Sequence, residues 1–235
     1  MEEDVIFTTR DWFKIPCSVN TVQDWKKCIV FVHGLTGHKD ESHYLKAVEF
    51  FVPRWYTCLR FNYYSSLLWA RTLHTSSITT HNRDFEDILS QIHWRYEEIY
   101  LVGHSLGGPS IVGIRDIPHE VKKVILWDPV IELTSLKERF TKEWEYIFFE
   151  NSGKKICISQ ELFEETSSID NMKSIEEFSL PICIVFAQLH RYAKYSQYMT
   201  EMGVKNVIIS WATHCFREPG KFEELYVQTL QFIET

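Results

Sequence analysis

Ile99-Tyr100-Leu101-Val102-Gly103-His104-Ser105-Leu106-Gly107-Gly108-Pro109-Ser110-Ile111-Val112-Gly113-Ile114 is the stretch on which the reading of this chain turns. Residues 99–102 have the length and composition of a buried strand, and 111–114 belong to an apolar helix. Between them stands Gly103-His104-Ser105-Leu106-Gly107, a G-x-S-x-G. A strand that feeds a helix through this pattern makes a sharp turn with the serine at its apex. Glycines two before and two after the serine relieve the crowding of that turn. The hydroxyl then stands at the start of a helix, where the dipole and free N–H groups favour developing negative charge. Pro109 is compatible, because the first helical turn has no N–H partner to lose. The plainer alternative is a glycine-rich turn that carries a solvated serine.

Outward from this turn, short apolar runs alternate with longer amphipathic ones. Residues 28–32, 57–61, 124–127, 182–186 and 207–210 read, like 99–102, as buried strands, and such continuous runs suit a parallel sheet covered on both faces. Between strands, 80–93 repeats Phe85, Ile88, Leu89 and Ile92 at helical spacing. The last helix, 219–232, opens with Pro219 and carries Phe222, Leu225, Tyr226 and Leu230 as its core stripe. The alternation predicts an α/β fold with a mostly parallel central sheet and helices on both faces. Residues 5–17 hold a candidate strand pair, expected as an antiparallel edge. Residues 133–180, charged and aromatic, are too long for an ordinary connection. They predict a small helical cap or lid inserted in a single domain spanning 1–235, or alternatively an enlarged crossover.

Composition narrows the function. The 235 residues carry a formal charge of −7, which argues against a nucleic-acid binder. No apolar run approaches the roughly 20 residues of a membrane span. Glu2, Glu3 and Asp4 replace the basic and apolar regions of a secretory signal, so a soluble, cytoplasmic protein is expected. The six cysteines are scattered singly and read as reduced thiols; no Cys/His cluster has zinc spacing. No metal and no cofactor are expected.

Glycine is scarce, nine residues in all, yet Gly34 and Gly37 stand together in a second segment, His33-Gly34-Leu35-Thr36-Gly37-His38-Lys39-Asp40-Glu41. Here the chain resembles the α/β-hydrolase superfamily, and in particular small-capped esterases of the cinnamoyl/feruloyl kind, whose H-G-F-T-G loop this nearly repeats. Arg60-Phe61-Asn62-Tyr63 resembles the family's R-F-D-F strand end, Phe85-Glu86-Asp87 its acidic helix, and Gly103–Gly108 its G-H-S-x-G-G. The resemblance implies an α/β-hydrolase fold in which Leu35 and Leu106 offer backbone N–H groups to an oxyanion. His33 and His104 are expected to support the site from behind, with loop packing the alternative for His33. The segment Trp211-Ala212-Thr213-His214-Cys215-Phe216 resembles the family's G-A-x-H-x-F and implies His214 as general base.

The likeness fails at the acid. Where the family has G-x-x-D, this chain has Ala187-Gln188-Leu189-His190. An imidazole cannot stabilise an imidazolium as a carboxylate does. Asp128, in Trp127-Asp128-Pro129, stands at the end of the strand where some superfamily members carry their acid; Glu132 and no acid at all remain open. A second departure is Asn62-Tyr63-Tyr64-Ser65-Ser66-Leu67-Leu68-Trp69, aromatic where relatives have glycines, which could narrow the acyl pocket or pack beneath the cap. The reading is a serine hydrolase that cleaves a small-molecule carboxylic ester through an acyl-enzyme on Ser105; thioesters, amides and lactones stay open. The alternative is a catalytically impaired hydrolase-fold protein that binds a ligand or partner, motivated by His190 in the acid position.

Overall fold

The computed structural model describes residues 1–23, 26–151 and 153–235. In chain order the elements are β1 (Glu2–Thr8), β2 (Lys14–Asn20), β3 (Lys27–Val32), α1 (Ser42–Phe51), β4 (Thr57–Phe61), α2 (Ile78–Ile92), β5 (Glu98–His104), α3 (Gly107–Val112) and β6 (Val121–Trp127). After them come β7 (Phe140–Glu143), β8 (Tyr146–Asn151), β9 (Lys154–Ile158), α4 (Gln160–Ser168), α5 (Asn171–Glu176), β10 (Ile182–Ala187), α6 (Ser196–Glu201), β11 (Lys205–Ile209) and α7 (Lys221–Glu234).

Five of the six apolar runs become buried strands of a parallel sheet; the sixth, in β11, is the sheet's edge and is only partly covered, with Ile208 exposed. Eight strands lie in the order β1-β2-β4-β3-β5-β6-β10-β11. The β1–β2 hairpin and its junction with β4 are antiparallel, and every other neighbouring pair is parallel. Alternate residues divide between two cores. Val30, Val32, Leu101, Leu126 and Ile184 face α2 and α3 through Phe85, Leu89 and Ile111. Ile29, Phe31, Val102, Ile125 and Trp127 face α1 and α7 through Tyr44, Phe51, Leu225 and Tyr226. Trp127 is fully buried and donates its indole N–H to Thr229 Oγ1 at 2.9 Å, so the large ring leaves no polar atom stranded.

Register carries the strand ends to one edge. His104 pairs with Trp127, and Trp127 with Val185, so Ser105 and Asp128 leave neighbouring strands side by side. The strand order reverses between β3 and β5, where open α/β sheets form a crevice beyond their carboxyl ends.

Residues 133–180 are helical only in part. A 3-10 stretch, Leu133–Arg139, leads into the antiparallel sheet β7-β8-β9, and only then into α4 and α5. The period there is two, not 3.6: Ile147 and Phe149 point into the core while Tyr146 and Phe148 do not. Gly153, at φ +75°, occupies the turn between β8 and β9. α7 also starts later than Pro219 suggests, with Gly220 at its N-cap in the left-handed region. Among the described residues no helix is long and apolar enough to cross a membrane.

Candidate active site

Ser105 leaves β5 with φ +56°, a left-handed value rare for a side chain other than glycine and typical of a strained functional turn. The backbone crowds it. A Cβ on Gly34 would lie 2.8 Å from Ser105 Cβ, and one on Gly107 would lie 2.2 Å from the Val32 carbonyl oxygen. Any larger residue at either position would push β3 away from the turn. The turn is tied to β6, since Ser105 N–H donates to the Trp127 carbonyl and the Ser105 carbonyl accepts from Val130 N–H, each at 3.1 Å.

Backbone donors are left over beside it, those of Leu35 and Leu106 among them. Among the described residues neither Leu35 N–H nor Leu106 N–H meets an acceptor, although Leu106 is buried. Free N–H groups at a helix start and its facing loop can receive a ligand oxygen. His33 fixes the first of these loops. Its Nδ1 donates to the Gly34 carbonyl at 2.8 Å, and its Nε2 accepts from Tyr63 N–H at 3.1 Å. Burial pushes the His33 pKa down to about 4, so the ring stays neutral in this tautomer. Tyr64 adds its hydroxyl to the same Gly34 carbonyl, and Tyr63 stacks on His81. Tyr63 and Tyr64 thus pack behind this loop and do not line the cavity, while Trp69 is exposed.

Asp128 stands at the end of β6, wholly buried, with φ +44°. Its Oδ1 accepts Ala187 N–H from β10 at 3.1 Å, and its Oδ2 accepts from His214 Nδ1 at 2.6 Å. His190 Nδ1 reaches that same Oδ2 at 2.6 Å, but its N–H is not aimed along a hydrogen bond. Burial alone would raise the Asp128 pKa; the contacts with His190 and His214 outweigh it and hold the carboxyl below the usual range. His104 donates Nε2–H to the His214 carbonyl at 2.9 Å, which positions the loop, and burial pushes its own pKa down to about 3. Glu132 is elsewhere, half-exposed, with Lys194 at 4.0 Å.

Ser105, Leu35, Leu106, His104 and His214 line one cavity of about 230 Å³. No hydrogen bond joins Ser105 Oγ to the His214 ring among the described residues; catalytic contacts of this kind are often loose without substrate. Leu136, Arg139, Phe149 and Asn151 of the inserted segment close the cavity on one side, and Glu41 and Arg217 also line it. Sequence patterns give no sign of Arg139, which stands in a charged run with no periodic neighbour. A larger depression of about 520 Å³, lined by Arg10, Glu86 and His119 among others, lacks convergent groups of this kind. Among the described residues, Asp128, His190 and His214 are the one set whose ligating atoms could surround a metal, all within 4.8 Å of one another. The 2.6 Å between His214 Nδ1 and Asp128 Oδ2 is a hydrogen-bond distance; donors around tetrahedral zinc stand about 3.3 Å apart.

No family model and no curated protein sequence matches this chain. Solved structures do. Est1E from Butyrivibrio proteoclasticus, seen with ferulic acid bound, is 16% identical, with a TM-score of 0.79 over 97% of this chain and 98% of that one. The alpha/beta hydrolase GrgF from Penicillium is 14% identical, with a TM-score of 0.80 over 100% and 98%. An esterase of Pyrococcus furiosus is 16% identical, with a TM-score of 0.72 over 100% and 90%. At such identities the likeness establishes the fold alone. The chain has the α/β-hydrolase fold.

Proposed function

We propose that this protein is a serine hydrolase acting on carboxylic esters of small molecules. The observation that carries the reading is the buried Asp128 carboxylate 2.6 Å from His214 Nδ1, beside a serine held at positive φ. In that reading His214 Nε2 takes the Ser105 proton as the hydroxyl attacks the ester carbonyl. Asp128 fixes the imidazole tautomer and offsets the imidazolium charge. The Leu35 and Leu106 N–H groups receive the oxyanion, an interaction worth about 3–4 kcal/mol for a well-placed donor. The alcohol leaves with the proton from His214, and water resolves the acyl-enzyme by the reverse sequence. Residues 133–180 act as a cap that shapes the acyl side of the cavity, and no cofactor enters any step.

The esterases among the structural neighbours support ester cleavage as the reaction class. A second reading, a hydrolase fold that binds without turnover, draws on the missing hydrogen bond between Ser105 and His214. Steady-state hydrolysis of p-nitrophenyl acetate and butyrate separates the two. The esterase reading expects turnover that Ser105→Ala reduces about 10⁴-fold or more, with the thermal midpoint nearly unchanged. Absence of turnover in the wild type, or activity that survives the substitution, contradicts it.

A further inference from the structure

Among the described residues, the Arg139 cation of the cavity makes no ion pair. Arg139 ends the 3-10 stretch Leu133–Arg139 and lies over the Phe149 ring, its Cζ 4.3 Å from the centroid. Its Nε and Nη2 donate to the Glu150 carbonyl at 3.2 and 2.8 Å, and Nη2 also reaches Asn151 Oδ1 at 3.2 Å. These acceptors are neutral. Among the described residues no carboxylate comes within 4.0 Å of it, whereas the buried Arg60 and Arg71 each face two. Burial, with the neighbouring Arg191 charge second, pushes the Arg139 pKa below its usual value, and the Glu150 carboxylate only partly offsets them. The other cavity arginine, Arg217, has Glu41 of the cavity wall in its field; the carboxylate in the field of Arg139 is Glu150, which does not line the cavity.

The guanidinium is also held in place relative to the reacting centre. Asn151, which accepts from Arg139, donates its Nδ2–H to Thr36 Oγ1 at 2.7 Å, and Thr36 follows Leu35 in the loop that offers the first free N–H. Leu106, Val130, Leu136 and Phe149 give the cavity an apolar wall alongside it. A substrate bound here would place its carbonyl at Ser105, lay a short methylene chain on that wall, and end at a planar fork suited to a carboxylate.

We propose that Arg139 is a specificity-determining residue that receives an anionic acyl terminus, so that the preferred substrates are monoesters of short dicarboxylic acids. This rests on the esterase reading for its chemistry, which is ordinary hydrolysis. The ester C–O bond breaks, water supplies the hydroxyl of the acid and the proton of the alcohol, and the distal carboxylate is unchanged.

The test compares monoethyl glutarate with ethyl pentanoate, acid release being followed in a pH-stat. The wild type should show kcat/KM at least about 10-fold higher for the charged ester, expressed chiefly in KM, the range of one charge-assisted contact. In Arg139→Gln that ratio should fall about 10-fold or more, and Arg139→Lys should keep part of it. A preference for the neutral ester, or a ratio unmoved by Arg139→Gln, overturns the proposal. A binding arm is independent of turnover. Glutarate, and not pentanoate, should raise the thermal midpoint of Ser105→Ala protein, and adding Arg139→Gln should remove the effect; equal shifts from both acids overturn the proposal. Failure of the esterase reading shows separately, as absence of turnover with both esters.

Discussion

Two neighbouring strand ends, β6 and β10, stand in register and reach the same imidazole with opposite chemistry. β6 ends in Asp128, fully buried, and β10 runs on to His190, which is partly exposed. Both side chains meet at one point, since His190 Nδ1 and His214 Nδ1 each lie 2.6 Å from Asp128 Oδ2. The loop after β11 fixes where the imidazole of His214 sits, and either strand end is long enough to bring a carboxylate there. The structure thus brings both strand ends to one meeting point, Asp128 Oδ2. Asp128 leans across the boundary between the two, because its second oxygen takes the Ala187 N–H of β10.

Substitutions at these ends break or sharpen that contrast. The largest expected effect is at β6: Asp128→Asn should lower kcat for p-nitrophenyl esters about 10⁴-fold with little change in KM, through loss of the tautomer and of the charge that offsets the imidazolium. Near-wild-type turnover would place the acid elsewhere. Next in size is the response to acid. His33 and His104 have pKa values pushed down to about 4 and 3, while an unfolded histidine titrates near 6.5. Below about pH 6.5 the unfolded chain binds protons that the folded chain refuses. Stability should then fall by about 1.4 kcal/mol per pH unit for each of them, down to about pH 4. Thermal midpoints measured from pH 7 to pH 5 should decline steadily, and a flat profile would contradict neutral burial. The depressed carboxyl of Asp128 adds its own loss only at lower pH, below its unfolded value near 3.9.

A smaller effect probes β10 directly. In an Asp128→Asn background, His190→Asp should restore kcat by about 10- to 100-fold, part of the loss at the other strand end; no recovery would confine the working acid to β6. His190→Phe alone should change kcat by less than about 3-fold, the size expected of a side chain beside the pair and not aimed at it. A loss approaching that of Asp128→Asn would make His190 an essential member of the site.

The same contrast explains what the sequence could disclose. The turn at Ser105 is legible because its cause is local: strand, glycines and helix are contiguous. Asp128 is a candidate through the resemblance, because some superfamily members carry their acid at the end of this strand; the hydrogen bond that joins it to His214 is read only from the structure. The contact of His190 with Asp128 joins residues far apart in the chain, and no spacing encodes it; sequence showed only the vacancy left by the usual aspartate. Arg139 is hidden for a related reason, since its partners lie on β8, and the strands of 140–158 are short and mixed with Lys142, Glu143, Lys154 and Lys155. Charge and aromatic content suggested helices there. The alternation of Ile147 and Phe149 with exposed neighbours is the signal that distinguishes the observed sheet.

The central claim is that Ser105 is activated by His214 with Asp128 behind it, and intact-mass analysis of fluorophosphonate labelling tests it most directly. The wild type should gain a single adduct, located at Ser105 by peptide mapping, and Ser105→Ala should gain none. Asp128→Asn should label at least about 10²-fold more slowly, because the attacking hydroxyl loses its oriented base. Labelling of Ser105→Ala at the wild-type rate, or of Asp128→Asn as fast as the wild type, would contradict the account.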